Sequence, residues 1–263
     1  MAHKTLIDGT AHDITSGKTL IDGTGYSIKS GKTLIGGTGY DINLSNLPAV
    51  FADATWEQII SACQNKTVPD TWNVADQKAM TIDGRDYMID IIGKNHDMYS
   101  DGTGTAPLTF QLHGSYFYGF PINNTNTNSG GYGSSVMHTT HLPSVLASMP
   151  TAIQNAIKQV NKKASAGSMS TSIETIACKL FLLAEIEVFG EATYSISGEG
   201  TLYAYYSEGN SKIKYDVTGR AIYWWLRSPY PSSIYAFNFV RAEGICAPNG
   251  GGNQNKIVPA FCF

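Results

Sequence analysis

The sequence predicts an α+β fold, and three observations carry that expectation. Tyr223-Trp224-Trp225-Leu226 puts bulk on both faces of one strand, where a half-buried strand would alternate polar and apolar. Met80–Gly93 holds two apolar runs split by Asp83-Gly84, the mark of a β-hairpin. Helical spacing of apolar residues occurs in two stretches, beginning near Thr55 and Pro150. Two helices against a twisted, mostly antiparallel sheet with long loops make an α+β domain.

Composition bounds the rest. The chain has 263 residues, enough for a real core plus a small appendage. It is 42% hydrophobic but only 15% charged, with 27 glycines and 15 tyrosines, the profile of a loop-rich, partly β protein with uncharged polar surfaces. A net charge of −3 and a pI near 6.0 give no reason to expect a nucleic-acid partner or an acidic membrane. Met-Ala-His-Lys-Thr lacks a signal-peptide pattern, and no apolar run approaches about 18 residues, so cytosolic synthesis without membrane insertion is expected. A chain that then reaches the outside of a cell travels as part of something larger. None of the four cysteines lies in a CxxC pair, which argues against a zinc knuckle. Cys63 and Cys178 read as free buried thiols, and a Cys246–Cys262 bridge stays open.

Taken in order, residues 1–43 form a first module. His3–Thr10 returns as Gly17–Thr24 and again as Gly31–Thr38, three copies with a period of 14. Each copy reads as a Lys-Thr-Leu-Ile strand, an Asp-Gly or Gly-Gly turn, a second short strand and a Ser-Gly turn. Strands this short need neighbours, so attachment or oligomerisation is the expected role. Residues 44–263 form the second domain. Thr55 and Gln58 fit a capping box, opening a helix that carries Trp56, Ile59, Ile60 and Cys63 to about Lys66. The 80–93 hairpin and a Leu108–Leu112 strand follow. Residues 123–135, rich in Asn, Thr, Ser and Gly, read as a surface loop. Ile153, Ile157 and Val160 give a second helix from Pro150 to about Lys162, and Ala164–Thr171 reads as a flexible link. Lys179–Leu183 and Tyr203–Tyr206 read as strands.

Arg227 cannot be fully inside without a partner, so it is expected to mark where the tryptophan strand emerges, and Pro229 ends the ladder. Tyr230–Lys256 is chemically miscellaneous and is clamped by the apolar return at Ile257–Phe263. Phe237 and Phe239 share one face of a regular strand and Val240 takes the other, so a bulge or irregular loop is expected there. The chemistry this segment offers is recognition: Tyr230, Tyr235, Phe239 and Arg241 are hot-spot residue types. His138-Thr139-Thr140-His141 lacks an acidic third ligand and sits on residues that disfavour a helix, so polar loop contacts are expected there, not a metal. Asn95-His96-Asp97 follows a glycine at a strand end and reads as a turn held by Asx hydrogen bonds. No catalytic residue, cofactor or metal site is assigned.

Trp56 to Ile59, Trp72, Gly93–Asp97, Leu180–Leu183, Trp224–Pro229 and Val258–Phe261 resemble a domain common in gut Firmicutes and their phages, a variant of the C-type lectin fold. The likeness covers roughly residues 50–263. The 14-residue repeats resemble modules of phage virion and tail proteins. In such phages this domain is often the variable protein of a diversity-generating retroelement, in which Asn-type codons are rewritten on a fixed frame. The resemblance implies that Trp224, Trp225, Arg227, Pro229, Phe237, Val240, Gly244 and Phe261 are frame. It implies that Tyr230, Ser233, Ile234, Tyr235, Ala236, Phe239, Arg241, Glu243, Ile245, Asn249, Asn253 and Asn255 form the ligand-binding surface. Ala247-Pro248-Asn249 departs from the Glu-Pro-Asn loop of calcium-dependent lectins, which argues against calcium. Cys246 and Cys262 lie too far apart in sequence for the cysteine pair of formylglycine-generating enzymes. The expected partners are a bacterial surface receptor, other virion proteins through residues 1–43, and copies of the chain itself, with a trimer as the expected assembly. A virion decoration protein without a dedicated ligand is the alternative, ahead of an enzyme.

Overall fold

The computed structural model describes residues 47–263 in full and, before them, the backbone of six strands. These are β1 (Lys4–Ile7), β2 (Thr10–Asp13), β3 (Gly17–Ile21), β4 (Thr24–Ile28), β5 (Ser30–Ile35) and β6 (Thr38–Asn43). Each repeat copy pairs its own two strands antiparallel. The expected turns at 8–9, 22–23 and 36–37 lie outside the described residues. Ser30 and Gly31 are not a turn but the paired start of β5, opposite Asn43 and Ile42. The chain forms two compact units, Met1–Pro48 and Ala49–Phe263.

The larger unit is α+β. Thr55 caps α1 (Trp56–Gln64) through a capping box: its hydroxyl accepts from Gln58 N, and its own N–H donates to Gln58 Oε1. Lys66 adopts φ 55°, so the helix stops short of it. Next come β7 (Gln77–Ile82) and β8 (Arg85–Lys94), turning through Asp83 (φ 51°) and Gly84 (φ 68°) as Asp-Gly predicts. With β9 (Leu108–Leu112) and the C-terminal β17 (Ala260–Cys262) they form a four-stranded antiparallel sheet, order β17-β9-β8-β7. Its core is aromatic: Phe110 packs on Phe51, Phe261 and Phe263, with Trp56 edge-on.

A second sheet holds the site, in the order β10 (Gly119–Phe120), β16 (Asn255–Lys256), β13 (Trp224–Pro229), β14 (Ala236–Val240) and β15 (Cys246–Gly250). All six residues of β13 are buried, as bulk on both faces requires. Both indole N–H groups find carbonyls, Trp224 on Lys212 and Trp225 on Phe120. Ladder irregularity falls on β13, between Trp225 and Pro229. Residues 236–240 are therefore a regular strand covered on both faces, not an irregular loop.

Several elements differ from the sequence expectation. α3 (Thr151–Ala156) ends before Ile157, and β11 (Val160–Ser165) pairs with β12 (Ile173–Cys178). The strand was masked because its inward position 162 is a lysine. Ala164 and Ser165 thus belong to β11, and only 166–172 connect the pair. Leu180–Leu183 is buried, with Lys179 exposed, but the stretch makes a single bridge, Phe181 to Ala260, and the Leu182 and Leu183 carbonyls accept from Arg227. Tyr203 caps a short helix, α5 (Ala204–Ser207), where a strand was expected. The two histidines at 138 and 141 lie in a π-helical turn, Met137–His141, that runs into α2 (Leu142–Ala147). Loop 123–135 is no surface loop throughout: Asn123, Asn128, Tyr132 and Ser135 are buried, with Asn128 donating to the Ser233 and Ala236 carbonyls.

Candidate functional site

Arg227, expected at a strand exit, is fully buried. What admits it is Glu187 on α4 (Glu185–Phe189), which takes two guanidinium N–H groups at 2.5 and 2.7 Å. The other three go to the carbonyls of Lys163, Leu182 and Glu199, so all five donors are used. Lys162 joins the cluster, its ammonium 2.7 Å from Glu187 and 2.7 Å from Asp97, and also donates to Tyr203. Asp97 in turn accepts from Thr109 and Tyr203, so it is an ion-pair member and not an Asx turn. Burial alone would raise the Asp97 carboxyl, but Lys162 beside it holds it at about 2. Burial likewise opposes Glu187, and Arg227 with Lys162 pulls it below the usual carboxylate range. Two cations and two carboxylates thus cancel inside the core, tying β13, β11, α4 and the segment after β8 together. Nearby, burial pushes Glu199 up to about 7, and its Oε2 is buried without a hydrogen-bond partner among the described residues.

The frame carries an open face. Phe239 pairs with Trp225 on one side and Ala247 on the other. Beyond it lies a shallow groove of about 620 Å³ lined by Tyr223, Phe239, Arg241, Glu243, Ile245 and Asn249, with Pro248. Arg241, Glu243 and Ile245 are exposed around a tight turn in which Gly244 takes φ 79°. Tyr235 and Ile234 project from the β13–β14 turn, 56% and 40% exposed. Tyr230 is half-buried against Tyr194, and the Ser233 hydroxyl accepts from Tyr235 N. Asn253 is exposed and donates to Asn249 Oδ1. Asn255 is half-buried in β16.

Two expected surface residues are not displayed. Ala236 is buried because its carbonyl is engaged by Asn128, and Phe239 offers only an 8% exposed edge because its ring packs on Tyr223 and Trp225. The frame residues Trp224, Trp225, Pro229, Phe237, Val240 and Phe261 are all buried. Tyr223, expected inside with the tryptophan strand, instead precedes β13 and is 48% exposed; alternation sets it on the same face as Trp225. Loop 123–128 was missed as a support. A Cβ on Gly251 would lie 2.8 Å from the Thr127 carbonyl oxygen, and one on Gly252 2.9 Å from the Thr125 carbonyl carbon. The loops touch there because those positions are glycines.

Elsewhere the polar motifs pack on aromatic rings, and His141 Nε2 is buried with no hydrogen-bond partner among the described residues, against the polar contacts expected there. His141 stacks on Phe120, His138 lies against Tyr132, and His96 stacks on Tyr203 at 4.0 Å. Burial lowers all three histidines' pKa. All four cysteines are free, which closes the question of a Cys246–Cys262 bridge, and burial raises the Cys63 and Cys178 thiols to about 12. Among the described residues no group of three or more His, Cys, Asp or Glu side chains is placed to hold a metal, and no helix is long and apolar enough to cross a membrane.

A family model described as a domain of unknown function, DUF6273, matches residues 115–263. No curated protein and no solved structure matches the chain. The matched span takes in Lys162, Glu187, Arg227 and the whole groove, and omits Asp97. Covering more than half of the sequence, it makes this chain a member of the DUF6273 family.

Proposed function

We propose that the chain is a phage virion or tail-associated adhesin, holding a diversifiable receptor-binding surface on a C-type-lectin-like scaffold. Residues 1–43 attach it to other virion proteins or gather it into a homo-oligomer, for which a trimer is the simplest candidate. Several weak sites held together gain avidity without new contacts. The face formed by Tyr235, Arg241, Glu243, Ile245 and Asn249 meets a receptor on the bacterial exterior, and no reaction is catalysed.

One observation carries the proposal. Side chains of mixed chemistry stand exposed around a groove, on a sheet whose tryptophan strand is buried and carries Arg227 paired with Glu187. Large exposed aromatic and aliphatic residues beside an arginine are what binding surfaces use.

The test is adhesion of the purified full chain to candidate host bacteria, with Tyr235→Ser, Arg241→Gln and Ile245→Ser introduced together. Loss of adhesion with an unchanged melting temperature is expected. Full adhesion by the triple variant would sink the proposal, and no adhesion by the parent would favour a decoration protein. The nucleotide sequence downstream of the gene bears on diversification separately: an adenine-rich near-copy of its 3′ end beside a reverse transcriptase is expected.

A further inference from the structure

We infer that the ligand of this face is an extended, acidic protein segment that lies across Tyr223. The inference rests on the adhesin proposal and adds the chemistry of the partner. A second groove of about 500 Å³ adjoins the first, lined by Asp216, Arg220, Ile222, Gln254 and Lys256, and Tyr223 lines both. Tyr223 is thus a ridge between two troughs. Its ring is held edge-on against Phe239 at 5.6 Å, and its carbonyl accepts from Lys256 N, so the ridge is preorganised.

Most polar groups in the second trough are already engaged. Asp216 accepts from the Thr218 hydroxyl and amide and from Arg220 N. Lys256 donates its ammonium to the Phe117 carbonyl. The two arginines differ. Both are exposed, one in each trough, and among the described residues neither guanidinium makes a hydrogen bond or an ion pair within 4 Å, the Arg220 charge acting only weakly on Asp216. A guanidinium is always charged and its planar fork matches a carboxylate. Two unpartnered forks on either side of an aromatic ridge fit a chain that carries a carboxylate at each end of an apolar residue.

A uniformly anionic polymer fits less well. Glu243 shares the first trough with Arg241 and repels a strand charged at every repeat, while Ile245, 53% exposed, offers apolar area that such a strand would leave uncovered. A protein segment satisfies both, because it can alternate acidic and apolar side chains.

The experiment is fluorescence anisotropy on the full chain, using synthetic peptides with two aspartates flanking a leucine at varied spacing. Controls are the same peptides with asparagine for aspartate, and a polyphosphate. At least one acidic peptide is expected to bind, weakening as salt is raised. Arg220→Gln, Arg241→Gln and Tyr223→Ser are each expected to weaken it about tenfold or more. Met88→Ser, exposed on β8 of the other sheet and in neither trough, is expected to leave peptide affinity unchanged. Unaltered affinity in the arginine variants, equal binding of the asparagine peptides, or tighter binding of polyphosphate would overturn the inference. Host-cell adhesion by the parent chain with no peptide bound would overturn it too, while leaving the adhesin proposal standing. Adhesion and peptide binding failing together would end both.

Discussion

Two sets of charged side chains in the larger unit behave in opposite ways. Arg227, Glu187, Lys162 and Asp97 lie inside, with all five N–H groups of Arg227 and all three of Lys162 engaged. Arg241, Glu243 and Arg220 lie outside, with no ion-pair partner among the described residues. Inside, each group has one geometry, and any change leaves a charge stranded in the core. Outside, each group is solvated and can be replaced without disturbing a neighbour. Exchanging surface residues while keeping a fold requires this division of labour.

The comparison breaks most sharply at Glu187. Glu187→Ala strands Arg227 and Lys162 and should cost roughly 3–5 kcal/mol, read as a lowered midpoint in urea unfolding. A loss below about 1 kcal/mol would mean that the cluster relaxes and does not brace the frame. Gly251→Ala comes next. Its Cβ would press on the Thr127 carbonyl, and about 1–3 kcal/mol of destabilisation is expected by the same assay, with no loss for Gly84→Ala beyond its backbone strain.

Glu199 sharpens the contrast through pH. Its folded pKa, about 7, lies above the ordinary 4.5. Between those values the folded chain keeps a proton that the unfolded chain has lost, so this contribution to stability falls as pH rises through the window. Glu199→Gln should flatten that slope and stabilise the chain by on the order of 2 kcal/mol at alkaline pH. An unchanged pH dependence of the melting temperature would mean that the carboxyl is ionised in the fold. The smallest effect belongs to the open face. Tyr235→Ser and Arg241→Gln should each move stability by no more than about 0.5 kcal/mol. A larger shift in thermal unfolding would make them part of the frame.

How legible this was depended on whether a signal was local. The Asp83-Gly84 hairpin and the Thr55 capping box were readable because their hydrogen bonds close within a few residues. The two-faced burial of Trp224–Leu226 was readable because bulk on consecutive residues has no other accommodation. β11 was not, since Lys162 at an inward position looks like surface until Asp97, 65 residues earlier, and Glu187 are brought to it. The candidate face was partly legible: Tyr235, Arg241, Glu243 and Ile245 are exposed, while Ala236 and Phe239 are not. Nothing near Ala236 announces Asn128, whose amide reaches it from 108 residues away.

Sequence alone determined the class of the larger unit, its hairpin at 80–93, the first helix and the tryptophan strand. These follow from short-range turn chemistry, capping and hydrophobic pattern, which every local segment carries in itself. Tertiary structure alone decided that Arg227 goes inside and that Tyr223 becomes a ridge between two grooves. Whether a charge can be buried, or a ring left exposed, depends on which distant groups meet it.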